Sequence, residues 1–287
     1  MSSDFNVSTS KRFGFCLLAV VFVFGIPTRV LASISQEPQA AAMSEPQLAD
    51  GQAFTLFQAG DFLTAAEEAA LAAEAAQSGS AVIAANFVLA ARALNAEAYF
   101  EQDRKTARRT ANKALDLAEA GIEANPDLVE AHLQAAIALS LRAGNMSAVK
   151  ALFLNLPSRA RREIDAALAI DQENAWALST SAAWRVEVAR RGGGSVFGAD
   201  PDEGFEEFLR ARALMPENVS IAYECALRLL AGEREEWREV ALEALAVAIA
   251  GTPASAYEAA LQRRATGLQR ALEAGPATLR KFIDEND

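Results

Sequence analysis

The sequence predicts an all-α protein assembled from repeated helix pairs, and three observations predict it. Alanine is abundant: 52% of the residues are hydrophobic, only 7% are aromatic, and stretches such as AAEEAALAAEAA at 65–76 hold no β-branched residue. Alanine loses little side-chain entropy in a helix and lets two helices approach closely, so this composition favours helix over sheet. Three closing segments, EANPDLVEA around Pro126, AIDQENAWA around Gln172 and ALMPENVSI around Pro216, align with one another. Counting back from each closing residue finds small residues at the same two places, the mark of an internal repeat.

Taken in order, the first segment stands apart. Lys11 and Arg12 precede an apolar run at 13–26, Pro27 ends it, and Val30, Leu31 and Ala32 complete an A-x-A-like site. This is the pattern of a cleavable secretory signal over residues 1–32. The alternative is a retained anchor, for which fourteen apolar residues fall short of the ~20 that span a bilayer. Residues 33–47, SISQEPQAAAMSEPQ, read as a flexible linker. Loss of 1–32 removes Lys11, Arg12, Arg29 and Asp4, so the formal charge moves from −11 to −13 and Cys225 is left as the only cysteine. A chain so acidic repels nucleic acid, and a single thiol forms no intramolecular disulfide.

The repeat domain is expected over 48–253. Its first unit has Gly60 at the end of one helix and Phe62, Ala65, Ala69 and Ala72 along the next, before a closing position at Gln77. In the second unit both helices are long, 81–100 and 104–123, and Ala114, Ala118 and Gly121 lead to Pro126. The third follows the candidate N-cap Asp127, carries Ala136, and reaches Gln172 through Ala160, Ile164 and Ala167, with an insertion at 144–157 between its helices. The fourth opens on Asn174, carries Ala182, and ends at Pro216 after Gly204, Phe208 and Ala211, with a glycine-rich insertion at 192–201. The fifth opens on Asn218, carries Ala226, and closes at Pro253 after Ala241, Leu245 and Ala248. Asp127, Asn174 and Asn218 suit the cap because a short polar side chain satisfies backbone N–H groups in the first turn. Gly60, Gly144, Gly192 and Gly232 end the first helices, where a left-handed cap favours glycine. Residues 254–287 then supply an amphipathic helix, with Tyr257, Leu261, Leu268 and Leu272 on one stripe, and a tail.

This register resembles the tetratricopeptide repeat (TPR) family: a small residue in the first helix, A-x3-F and a small residue in the second, then a closing proline. The matching residues are Gly60, Phe62 and Ala65; Ala160, Ile164 and Ala167; Gly204, Phe208, Ala211 and Pro216; and Ala241, Leu245, Ala248 and Pro253. The resemblance implies a right-handed α-solenoid of about five helix pairs with a C-terminal capping helix. Its first helices would line a concave groove. The closing positions lie 49, 46, 44 and 37 residues apart, whereas the family repeats about every 34. The units are therefore expanded, and the insertions of units three and four are expected on one edge.

Motifs for catalysis are sparse. The stripe Lys105, Arg109 and Lys113, with Arg104 and Arg108 beside it, reads as the solvated face of a second helix. GGGSVFG lacks both the preceding strand and the lysine followed by serine or threonine that a P-loop needs. His132 is the sole histidine, with no CxxC or HExxH pattern beside it, which argues against a metal site and a catalytic triad. Cys225 sits among apolar residues and reads as a small core side chain. Neighbouring pairs such as Glu206 and Glu207 or Glu235 and Glu236 point in different directions on a helix and read as solvated faces.

The most distinctive surface belongs to the first helix of unit four. Trp176, Thr180, Trp184 and Glu187 recur at helical spacing, with Arg185, Arg190 and Arg191 nearby. In a TPR stack this helix would contribute them to the groove, to hold a peptide or small ligand by stacking and charge pairing. Core packing between neighbouring units is the simpler account of both tryptophans. Segment 175–192 also resembles a helix of the TPR-like group that includes the T-component of tripartite (TRAP) transporters and the regulators of microtubule dynamics. The expected function is a non-catalytic interaction scaffold or adaptor in the cell envelope, periplasmic after signal cleavage. It would bind a protein or peptide segment on its concave face, without cofactor, nucleic acid or a membrane span. The alternative is a periplasmic small-molecule binding component associated with a transporter, its pocket near Trp184 and the glycine loop.

Overall fold

The computed structural model describes residues 49–76 and 79–286, and among them every regular element is helical, with no strand. The expected signal at 1–32 and linker at 33–47 lie outside the described residues. The helices fall into consecutive pairs. α1 (Gly51–Ala59) packs on α2 (Phe62–Ala75), and α3 (Ser80–Phe100) on α4 (Arg104–Ala124). Next, α5 (Val129–Gly144) leads through the short α6 (Ala148–Phe153) to its partner α7 (Leu156–Ile170). α8 (Ala175–Arg190) leads in the same way through α9 (Gly194–Phe197) to α10 (Pro201–Leu214). α11 (Val219–Ala231) and a 3-10 turn (Glu235–Trp237) precede α12 (Arg238–Ala250), and α13 (Ala256–Glu273) pairs with α14 (Pro276–Asn286).

The small residues of the register are where helices cross. Ala114, Ala118, Ala160, Ala167, Ala211, Ala241 and Ala248 are buried, with Ala136, Ala182 and Ala226 opposite them on the first helices. A Cβ on Gly204 would come within 3.1 Å of the Ala182 carbonyl oxygen and of Arg185 Cβ, so α10 lies directly against the backbone of α8. A bulkier residue there would push the pair apart, against the close packing of interiors.

Helix starts follow local chemistry, with one correction. Asn174 and Asn218 cap α8 and α11 through their side chains, as do Asp50, Asp61, Asp103, Asp200 and Ser255 elsewhere. Asp127 does not: α5 starts after Leu128, and the Asn125 side chain accepts the Asp127 N–H one turn early. Among the glycines, Gly60 (φ 89°) and Gly192 (φ 81°) take the left-handed conformation. Gly144 instead ends α5 as its last residue, and Gly232 stays right-handed at φ −70°. At Gly232 the requirement is space, because a Cβ would sit 2.7 Å from the Trp237 ring. The C-terminal cap is two helices where one was expected, since Gly275 (φ 105°) ends α13 and Pro276 is pre-set to open α14.

The first helices also meet one another in sequence. α3 packs on α5, α5 on α8, α8 on α11 and α11 on α13; α13 then touches α1, and α1 touches α3. The inner layer thus closes on itself, with α2, α4, α7, α10 and α12 outside it.

Candidate functional site

Two polar regions stand out: the inner face of the first helices and an acidic cleft on α10. The inner face is built around a seam where the start of the array meets its end. Gly60 makes the seam possible, because a Cβ there would be 2.9 Å from that of Ala256. Beside it, Tyr99 and Phe100 from the end of α3 meet Tyr257 of α13, with ring centroids 6.3 and 5.5 Å from that of Tyr257. The Arg264 guanidinium lies 4.7 Å from the Tyr99 centroid and 4.6 Å from that of Phe100, and it donates to the Tyr99 carbonyl at 3.3 Å. Such stacking satisfies a partly desolvated cation while covering apolar rings.

From the seam a chain of polar contacts crosses to α8. The Tyr99 hydroxyl donates to Glu224 Oε1 at 2.9 Å, and Arg228 Nε donates to Glu224 Oε2 at 3.3 Å. Arg228 Nη1 is 3.6 Å from Glu187 Oε2, and Glu187 in turn takes Arg190 at 2.9 Å and also Arg191. On the other side, Asn95 of α3 donates to the Gln134 side chain at 2.8 Å, and Gln134 donates to Glu130 at 2.8 Å. Four buried polar atoms on these helices lack a hydrogen-bond partner: Asn95 Oδ1, Arg142 Nε, Trp176 Nε1 and the Tyr223 hydroxyl.

The electrostatics follow from burial and pairing. Burial, with the Glu224 charge adding to it, pushes the Tyr99, Tyr223 and Tyr257 hydroxyls up, so all three keep their protons. Burial alone would ease the proton from Arg228, but Glu224 and Glu187 outweigh it and raise its pKa. Burial would likewise raise the Glu187 carboxyl; the charges of Arg228, Arg190 and Arg191 win and hold it below the usual carboxylate range. The result is a set of mutually compensated charges that ties α3, α8, α11 and α13 together.

The seven candidate groove residues separate along these lines. Glu187, Arg190 and Arg191 belong to the inner chain of contacts. Trp184 is buried and its indole N–H donates to the Pro157 carbonyl at 3.1 Å, with the Arg161 guanidinium 5.4 Å from the ring centroid. Trp176 joins the apolar clusters of Leu133, Ala167 and Ile221 between units, and Thr180 donates back to the Trp176 carbonyl. Arg185 faces the opposite way, bridging Glu203 at 2.6 Å and Glu207 at 3.3 Å on α10. The inner residues that sequence reasoning missed are Tyr99, Glu224, Arg228 and Arg264. A signal for one of them was present: eight residues after Pro126, Gln172 and Pro216 stand Gln134, Thr180 and Glu224, a polar row in otherwise apolar helices.

The second region is a cleft of about 680 Å³ beside α10. Six carboxylates line it (Asp200, Asp202, Glu203, Glu206, Glu207 and Glu236), and its floor is Phe205 stacked on Trp237, 5.7 Å apart at 6°. Arg234 lies 4.4 Å over the Trp237 ring and pairs with Asp202. The cleft therefore already holds one guanidinium between an aromatic face and a carboxylate.

Groups suited to other chemistry are engaged elsewhere. His132 sets Nδ1 2.8 Å from Glu163 and Nε2 2.9 Å from the Pro126 carbonyl. Both neighbours are acceptors, so only the doubly protonated ring satisfies both, and the Glu163 bond raises its pKa. Burial pushes the Cys225 thiol up to about 12, which leaves it unreactive. No group of three or more His, Cys, Asp or Glu side chains is placed to hold a metal among the described residues. Compared with protein-family models and with curated proteins, the chain matches none.

Proposed function

We propose that the chain is a non-catalytic binding module, a right-handed α-solenoid of about five TPR-like helix pairs, that acts as an adaptor in the cell envelope. Its partner is a protein segment rich in arginine or lysine, received in the acidic cleft of α10 instead of on the inner face. The observation that carries this reading is Arg234, whose guanidinium is held against Trp237 and Asp202. A second cation from a partner would find exposed Glu206, which makes no ion pair among the described residues, beside Glu236, which Arg234 reaches at 3.9 Å. The inner face favours no such segment, because its charges are already paired across helices. A leader at 1–32 would deliver the module to the periplasm.

The test is titration of the chain with an arginine-rich peptide and with a glutamate-rich one of equal length. Micromolar binding of the first alone is expected, weakened about tenfold or more by Glu206→Lys with Glu236→Lys and by added salt. Equal binding of both peptides, or indifference to the substitutions, sinks the reading. A second reading, a small polar ligand on the inner face, is favoured by the unpartnered Tyr223 hydroxyl and Asn95 Oδ1. It requires a compound that raises the melting temperature of the parent and not of Tyr223→Phe.

A further inference from the structure

The two insertions, α6 and α9, carry large apolar side chains exposed to water. α6 is anchored by Ala151, and the residues around it leave Val149 78%, Phe153 87% and Leu152 50% exposed. α9 adds Val196, 74% exposed, and its Phe197 and the following Ala199 belong to the same extended apolar cluster as Ala151, Leu156 and Trp184. Large apolar side chains this exposed are costly in water and mark a surface that meets something else.

The charge around them identifies what. In a chain of net charge −11, residues 131–162 hold no aspartate or glutamate and carry Arg142, Lys150, Arg159, Arg161 and Arg162. Arg104 joins them from α4, donating to the Gly144 carbonyl at 2.7 Å at the base of the insertion. Arg159 pairs with Glu119 and Arg161 with Asp165, whereas Arg104, Lys150 and Arg162 form no ion pair among the described residues. Apolar tips flanked by uncompensated cations are the complement of an anionic bilayer surface: the tips enter the acyl boundary and the cations meet the headgroups. A second copy fits less well. The exposed tips of α6 amount to roughly 400 Å², below the ~800 Å² per partner of a stable interface, and a symmetric pair would set the same cations against each other.

We infer that α6 docks the protein on a membrane of anionic phospholipid, with Val149, Leu152 and Phe153 inserted and Lys150, Arg162 and Arg104 at the headgroups. The acidic cleft plays no part in this contact.

The experiment uses the full chain with phosphatidylcholine vesicles prepared with and without phosphatidylglycerol. Sedimentation with the anionic vesicles is expected to fall about tenfold or more for Val149→Asp with Phe153→Asp. It should fall about fivefold for each of Lys150→Gln and Arg162→Gln. In a Phe153→Trp variant, the introduced indole should shift to the blue on anionic vesicles and be quenched by brominated lipid. All these positions are exposed, so an unchanged far-UV circular dichroism spectrum is expected and makes each loss a surface effect. Equal sedimentation of the parent and the double aspartate variant would overturn the inference, since the apolar run at 13–26 would then account for all the binding. So would an unquenched indole, or a concentration-dependent dimer that Phe153→Asp dissolves without any change on vesicles.

Discussion

The inner face and the α10 cleft contain the same side-chain types in opposite states. On the inner face Glu187 and Glu224 are shared among Arg228, Arg190, Arg191 and the Tyr99 hydroxyl, and the groups are largely withdrawn from water. In the cleft, six carboxylates face Arg185, Arg210 and Arg234, most of the acids are exposed, and half-buried Phe205 stacks on buried Trp237 beneath them. Compensated and buried charge specifies a structure, because each partner would be costly alone; exposed, solvent-screened pairs such as those of the cleft contribute little to stability and can exchange partners with a ligand. The contrast ties the assembly contacts to the inner face and is the ground for proposing recognition at the cleft.

The comparison breaks most visibly at Arg228. Arg228→Ala leaves Glu187 and Glu224 without their shared cation in a desolvated setting and is expected to cost about 3 kcal/mol in urea unfolding. A loss under about 0.5 kcal/mol would place this network among solvent-screened surface pairs. Next comes the seam. Gly60→Ala puts a Cβ 2.9 Å from that of Ala256 in a left-handed conformation. It should cost about 2 kcal/mol, with faster amide exchange confined to α1, α2 and α13. Global acceleration instead would mean that the array does not depend on closure at that point.

A smaller effect tests the link between inner and outer layers at His132. Its pKa is raised in the folded protein by the Glu163 bond, so its contribution is full below the unfolded value of 6.5 and is lost as pH rises through the folded pKa. His132→Gln should therefore destabilise more at about pH 5.5 than at about pH 8.5 in parallel urea titrations. The reverse order would show that the ring is held neutral. Smallest is the cleft itself, where Glu206→Lys with Glu236→Lys should move stability by about 0.5 kcal/mol or less while removing the cationic-peptide affinity. A large stability loss would make those acids structural after all.

Several features were legible in the sequence because they are local. Asn174 and Asn218 cap their helices from within the first turn, the long helices of the second unit lie within a residue of 81–100 and 104–123, and the small residues Ala160, Ala167, Gly204 and Ala211 sit where helices cross. Asp127 misled because α5 begins one residue later, after Leu128, with no side-chain cap at all. The candidate groove dispersed for a geometric reason: neighbours along α8 point to different sides, so Arg185 reaches α10 while Glu187 reaches α11.

By itself the sequence determined that the described chain is helical, where α8 and α11 start, and which small residues allow helices to pair, since those follow from propensity, capping and side-chain volume within a few turns. Only the tertiary structure decided that α13 returns to α1 and α3. Tyr99 finds Glu224 across 125 residues, and Arg264 finds Tyr99 across 165. No local rule encodes that return, because it sums small crossing angles over the whole array, and a small change in each would leave the inner charges facing water instead of one another.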